Sequence, residues 1–155
     1  MPRCRVNGVA AQYMEMGTAG KGRDTVALLH AGGTSSAHWR KTAPFLQEAF
    51  HLVAPDLIGF GETEGWEQPR EMTHDDQADL VRGVLGRAAN GPVHLVGHSY
   101  GADDVVRIAR KLADVPDVRA WYVNERGERE MAFSIMSKDG AALEEAIGRL
   151  EARLR

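Results

Sequence analysis

The sequence predicts an α/β fold, a mostly parallel sheet with helices on both faces in a three-layer sandwich. Two observations carry that expectation. Short, near-continuous apolar runs recur at Thr25–Leu29 (TVALL), at residues 51–54 (HLVA) and at residues 93–96 (VHLV). Continuous apolarity, as opposed to alternation, marks a strand buried on both faces. Stretches with helical spacing lie between and after these runs, and strands alternating with helices imply a parallel sheet covered on both sides.

The elements follow in order. Residues 3–16 read as a hairpin around Asn7-Gly8, the pair preferred in two-residue hairpin turns. This adds an antiparallel hairpin to an otherwise parallel sheet. Residues 42–49 read as a short helix, with Pro44 tolerable only in its first turn. Thr73 is the expected N-cap of the next helix, with Asp75 and Asp76 favouring the dipole at its start. Leu80, Val81, Val84 and Leu85 give that helix an apolar stripe, and Gly91-Pro92 ends it. A further helix is expected over residues 100–112, then a strand at Val118–Val123, a turn at 124–128 and a partner strand at 129–136. Asp139 is placed as the cap of a final helix with Leu143, Ile147 and Leu150 on one face.

At 155 residues the chain is expected to form one domain, residues 1–155. The net charge is -3 and no basic stripe is present, which argues against nucleic acid as a partner. Cys4 is the single cysteine, so no internal disulfide is expected, and no Cys/His spacing suggests a metal site. The first residues lack the apolar core of a signal peptide, and no apolar stretch nears the roughly 20 residues of a membrane span. The expectations are therefore a cytoplasmic protein and no membrane partner.

Chemistry enters at Gly97-His98-Ser99-Tyr100-Gly101. A G-x-S-x-G motif carries weight when a strand precedes it and a helix follows, and both are expected here. The serine must stand on a sharp strand-to-helix turn so that its hydroxyl clears the sheet. Glycines on either side let neighbouring backbones approach, and the helix N-terminus favours negative charge at the site.

Other segments fall in step with this one. Leu28-Leu29-His30-Ala31-Gly32-Gly33 ends the first buried strand, and Asp56-Leu57-Ile58-Gly59-Phe60-Gly61 follows the second. In that order the chain resembles the α/β-hydrolase superfamily, in its branch of esterases, carbon–carbon bond hydrolases and dehalogenase-like enzymes. The resemblance covers residues 1–124, leaving 125–155 as a divergent strand and helix tail. It implies a hydrolase of esters or similar small apolar substrates, with Ser99 as nucleophile. Backbone N–H groups of Gly32 and Tyr100 would form the oxyanion hole, with His30, Gly33 and His98 lining the site. Asp56, Gly59 and Gly61 would shape its rim. No cofactor is implied.

The pattern also departs from the family. The order expected is serine, then acid, then histidine, yet His30, His38, His51, His74, His94 and His98 all precede Ser99. His38 is the least implausible base of the six, and Glu125 is a loop carboxylate where some members carry the acid. Asp103-Asp104 puts acids where small or apolar residues are usual; Ala31 and Thr63 are milder changes. The sheet is thus expected to be incomplete on its C-terminal side. A sheet lacking its last strands has an uncovered edge, through which a homodimer is expected. A non-catalytic module that binds or dimerises is the alternative reading.

Overall fold

The computed structural model describes residues 1–18, 23–89 and 93–98, together with the backbone course of Val118–Val123. Six strands form one sheet: β1 (Arg3–Val6), β2 (Val9–Met16), β3 (Thr25–Leu29), β4 (His51–Pro55), β5 (Val93–His98) and β6 (Val118–Val123). Their order across the sheet is β1-β2-β4-β3-β5-β6. The β1–β2 and β2–β4 pairs are antiparallel, whereas β3–β4, β3–β5 and β5–β6 are parallel. The expected mixed sheet is present, and so is its hairpin. Asn7 (φ 47°) and Gly8 (φ 89°) take the two left-handed positions of the turn, which only short polar residues and glycine occupy readily.

The apolar runs divide their side chains between two layers. Ala27, Leu29 and Val53 join one core cluster with Val81, Val84 and Leu85. Val26, Leu28, Leu52 and Ala54 join a second with Trp39 and Ala43. The first cluster lies beneath α2 (His74–Ala88). The second lies beneath the 3-10 turn Ser36–Lys41 and the single-turn helix α1 (Ala43–Leu46). The sheet is therefore covered on both faces, as its strands' unbroken apolarity requires.

α2 begins as expected. The Thr73 hydroxyl accepts from the Asp76 N–H at 3.4 Å and the Asp76 carboxylate accepts from the Thr73 N–H at 2.8 Å, a capping box. The expected stripe Leu80, Val81, Val84 and Leu85 is buried, with Gln77 and Ala78 beside it. The helix ends at Ala88, just short of Gly91-Pro92. Two details differ from the sequence expectation. The helix anticipated at 42–49 is only the turn Ala43–Leu46, and a 3-10 turn, capped by the Ser35 hydroxyl at 3.3 Å from the Ala37 N–H, comes before it. Pro44 sits in the first turn of α1, where its missing N–H leaves no bond unmade. The elements anticipated at 100–112, 124–128 and 129–136 and from Asp139 onward lie outside the described residues.

This topology fixes where a site belongs. The chain leaves β3 toward β4 on one side and returns through α2 to β5 on the other. The strand order thus reverses between β3 and β5. In open α/β sheets ligands bind outside the carboxyl ends of the strands at such a reversal.

Candidate active site

Three segments meet at the carboxyl ends of the parallel strands: the loop from His30 after β3, the loop from Asp56 after β4, and the end of β5 at His98. Leu29 stands opposite Gly97 in the ladder, so the His30 loop and the start of the serine motif emerge side by side. The described residues stop at His98 here. Ser99, Tyr100 and Gly101 lie outside them, as do Asp103, Asp104 and Glu125.

His30 is wholly buried. Its Nδ1 lies 2.8 Å from the Ala31 carbonyl, and its Nε2 lies 3.0 Å from the Leu57 backbone N–H. A carbonyl can only accept and a backbone N–H can only donate. The ring is therefore neutral, with its proton on Nδ1 and its Nε2 lone pair used by Leu57. Phe60 meets it edge-on, with centroids 5.5 Å apart. Both nitrogens of His30 are thus engaged, and it cannot serve as a base. Burial holds its pKa below the usual histidine value, against the opposing pull of the Ala31 carbonyl and Asp56.

A pH dependence follows. Between the lowered folded value and about 6.5, the unfolded chain binds a proton at this residue and the folded chain does not. Stability is full above about pH 6.5 and falls as pH drops below it, by at most about 1.4 kcal/mol per pH unit from this one group. Urea midpoints at pH 7.5 and 5.5 should separate further in the wild type than in His30→Gln. Equal separations would mean that His30 titrates as it does in an unfolded chain.

Ala31 to Thr34 form a tight turn. The Thr34 N–H and hydroxyl both reach the Ala31 carbonyl, at 3.3 and 2.7 Å. Gly32 and Gly33 sit exposed at its tip, with Gly33 at φ 73°.

The loop after β4 is held from several sides. Asp56 is 1% exposed. Its carboxylate accepts from the Ser36 N–H at 2.7 Å and from the Glu62 N–H at 3.0 Å. The Thr63 hydroxyl donates to the Asp56 carbonyl at 2.8 Å and accepts from the Gln12 N–H at 2.9 Å. Gln77, buried on α2, accepts from the Ile58 N–H at 2.8 Å. Asp56, Gly59 and Gly61 are expected to shape the rim; Asp56 is buried and braces the loop from within, whereas Gly59 and Gly61 are exposed. Gln77 was not anticipated. Its one sequence signal is a polar residue set in the apolar stripe three residues before Leu80.

The remaining histidines sort by position. His51 pairs with Glu15 at 2.8 Å and His94 with Asp24 at 2.7 Å, at the amino ends of β4 and β5. His94 and His98 are four residues apart along β5, about 13 Å, so both pairs belong to the far end of the sheet. His38, in the 3-10 turn, is exposed and faces His98, with ring centroids 4.8 Å apart. Partial burial and the neighbouring His98 push its pKa down. Of the six it is the one that stands beside the serine motif without a side-chain hydrogen bond among the described residues.

A groove of about 510 Å³ lies elsewhere, between the hairpin turn and the start of α2, lined by Val6, Ile58, Trp66, Arg70, Asp76 and Leu80 among others. Arg70 there binds the Asp76 carboxylate at 2.7 Å and covers the Trp66 ring at 4.8 Å. None of the site residues lines it. Among the described residues no cluster of His, Cys, Asp or Glu could hold a metal ion, and no helix is long and apolar enough to cross a membrane.

Residues 26–146 match the family model described as the alpha/beta hydrolase family. An uncharacterised hydrolase of Saccharomyces cerevisiae is 48% identical over 106 residues, 68% of this chain and 36% of that protein. The 2-hydroxy-6-oxo-6-(2'-aminophenyl)hexa-2,4-dienoic acid hydrolase of Metapseudomonas resinovorans is 34% identical over 99 residues, 61% of this chain and 32% of that protein. Among solved structures, a loop variant of a haloalkane dehalogenase from Bradyrhizobium elkanii superposes with a TM-score of 0.62 at 27% identity, covering 71% of this chain and 35% of its own. The chain thus spans about a third of the length of the relatives it matches.

Proposed function

The chain belongs to the α/β-hydrolase family, and from that premise we propose that it acts on esters or similar small apolar carbonyl compounds through Ser99. The observation that supports this reading most is the emergence of the loop carrying Gly32 and Gly33 beside Gly97-His98, the start of the serine motif, at the reversal of strand order. An N–H donor and a nucleophile are both wanted there. Gly32 and Tyr100 would supply two donors to the developing oxyanion, each contributing a few kcal/mol to transition-state stabilisation.

The identity of the nucleophile narrows the chemistry. The relatives' names include cleavage of a dienoic acid and removal of halide from an alkane. A serine that attacks the carbonyl of an ester forms a tetrahedral adduct that expels the alcohol and leaves an acyl-serine ester, and water cleaves that ester to release the acid and regenerate the hydroxyl. A serine that displaces halide from a saturated carbon would form an ether, which water at a carbonyl-type site cannot cleave. Ser99 therefore favours carbonyl substrates over alkyl halides.

A fluorophosphonate incubated with the folded chain should add one phosphonyl group, mapped by peptide mass to Ser99. Absence of labelling at Ser99 in folded protein would remove the nucleophile from this reading.

A second reading has its own support: all six histidines precede Ser99, and His30, His51 and His94 are committed to other partners. On that reading the chain is a binding module that dimerises through a sheet edge. A strictly monomeric mass across a hundredfold range of concentration would count against it.

A further inference from the structure

We propose that Asp56 is a positioning residue. With His30 it pins both ends of the loop that carries Gly32, and it acts on the reaction without touching substrate. The proposal rests on the reading of Gly32 as an oxyanion donor.

Two bonds define the arrangement. The loop enters at His30, whose Nε2 is held by the Leu57 N–H at 3.0 Å. It leaves at Ser36, whose N–H is held by the Asp56 carboxylate at 2.7 Å. The two anchors are adjacent residues on one short segment after β4. Residues 31–35 arch between them with Gly32 and Gly33 at the exposed tip. A segment with two glycines has wide conformational freedom of its own, whereas an oxyanion donor must sit within a few tenths of an ångström of its target. The two-point attachment supplies what the glycines lack.

The carboxylate itself has no room to move. Its second oxygen accepts from the Glu62 N–H at 3.0 Å. A Cβ added at Gly61, which has φ 56°, would stand 2.2 Å from that oxygen and 2.4 Å from the carboxyl carbon. Gly61 is thus the surface on which the carboxylate lies flat. Asp56 meets two backbone N–H groups rather than a cation, and each bond is charge-assisted and directional. The acid therefore sets distances, not only net charge.

Asp56→Asn keeps the shape but offers one carbonyl oxygen to two N–H donors, so an amide N–H must face one of them. Ser36→Pro is the second variant. It removes the N–H at the first position of the 3-10 turn, where proline is well tolerated, together with the buried Ser36 hydroxyl, and leaves the acid in place. In each variant, kcat and KM are measured with a short-chain activated ester, together with amide exchange at Gly32 against Val53 in the core of β4 as reference. The expected result is a kcat reduced roughly 10- to 100-fold with KM within about twofold, and faster exchange at Gly32 while Val53 is unchanged. A folded variant with wild-type kcat and wild-type Gly32 exchange would overturn the proposal. So would equal acceleration at Gly32 and Val53, since the role would then be stability alone. If the wild type shows no Ser99-dependent turnover, the functional reading fails and the exchange comparison alone decides whether Asp56 holds the loop.

Discussion

Replacement of Ser99 by alanine is expected to bring the turnover of a short-chain activated ester down by at least about 10³-fold, to the uncatalysed rate. The alanine removes only the attacking oxygen. An oxyanion hole can still bind and polarise the carbonyl, but with no nucleophile there is no acyl-enzyme and no product. The comparison with wild type is informative because the histidines are so placed. His30 is locked by Ala31 and Leu57, and His51 and His94 face carboxylates at the far end of the sheet. Turnover that Ser99→Ala abolishes would mean that a base completes the site, with His38 beside His98 the candidate among the described residues. Equal background rates in both proteins would mean that Ser99 does no ester chemistry in this chain.

The strands were readable because burial on both faces forces a signature that is local and continuous. TVALL at Thr25–Leu29 is buried at every position, and no solvated face interrupts it with polar residues. The hairpin was readable because a two-residue turn needs left-handed backbone, and Asn7-Gly8 supplies it. The start of α2 was readable from Thr73 and the acids after it. The 3-10 turn was not. Ser36–Lys41 (SAHWRK) is too short to display a period, and its one buried large side chain, Trp39, could equally sit in a loop. The bracing of the site left still less trace. Asp56 reaches Ser36 across 20 residues and Gln77 reaches Ile58 across 19. In both cases a side chain meets a backbone N–H that any residue could offer. The acid is visible in the sequence, but its partner carries no side-chain signal. Here the turn-forming tendency of Asp and Gly was a fair reading of the rim, and it concealed a structural role of longer range.

The largest stability effect is expected at a glycine outside the site. Gly17 follows β2 at φ 74°, and a Cβ there would stand 2.3 Å from the Phe50 carbonyl oxygen and 2.9 Å from that of Gln47. Both contacts are with backbone. That backbone is fixed, because the Phe50 N–H donates to Leu46 and the His51 N–H donates to Asp24, each at 3.0 Å. Relief would require β2 and β4 to part. Gly33 gives a matched control, with φ 73° and nothing within 4 Å of an added Cβ. Gly33→Ala should carry only the left-handed strain, about 1–2 kcal/mol. Gly17→Ala should carry the same strain plus overpacking of about 1–3 kcal/mol, with a fall in Tm on the order of 10 °C. Paired thermal melts measure the difference directly. Because the two backbones are nearly identical in φ, any excess at Gly17 reports the approach of β2 to the segment entering β4. Equal losses in the two variants would mean that this segment yields, and that the edge of the sheet is softer than its packing implies.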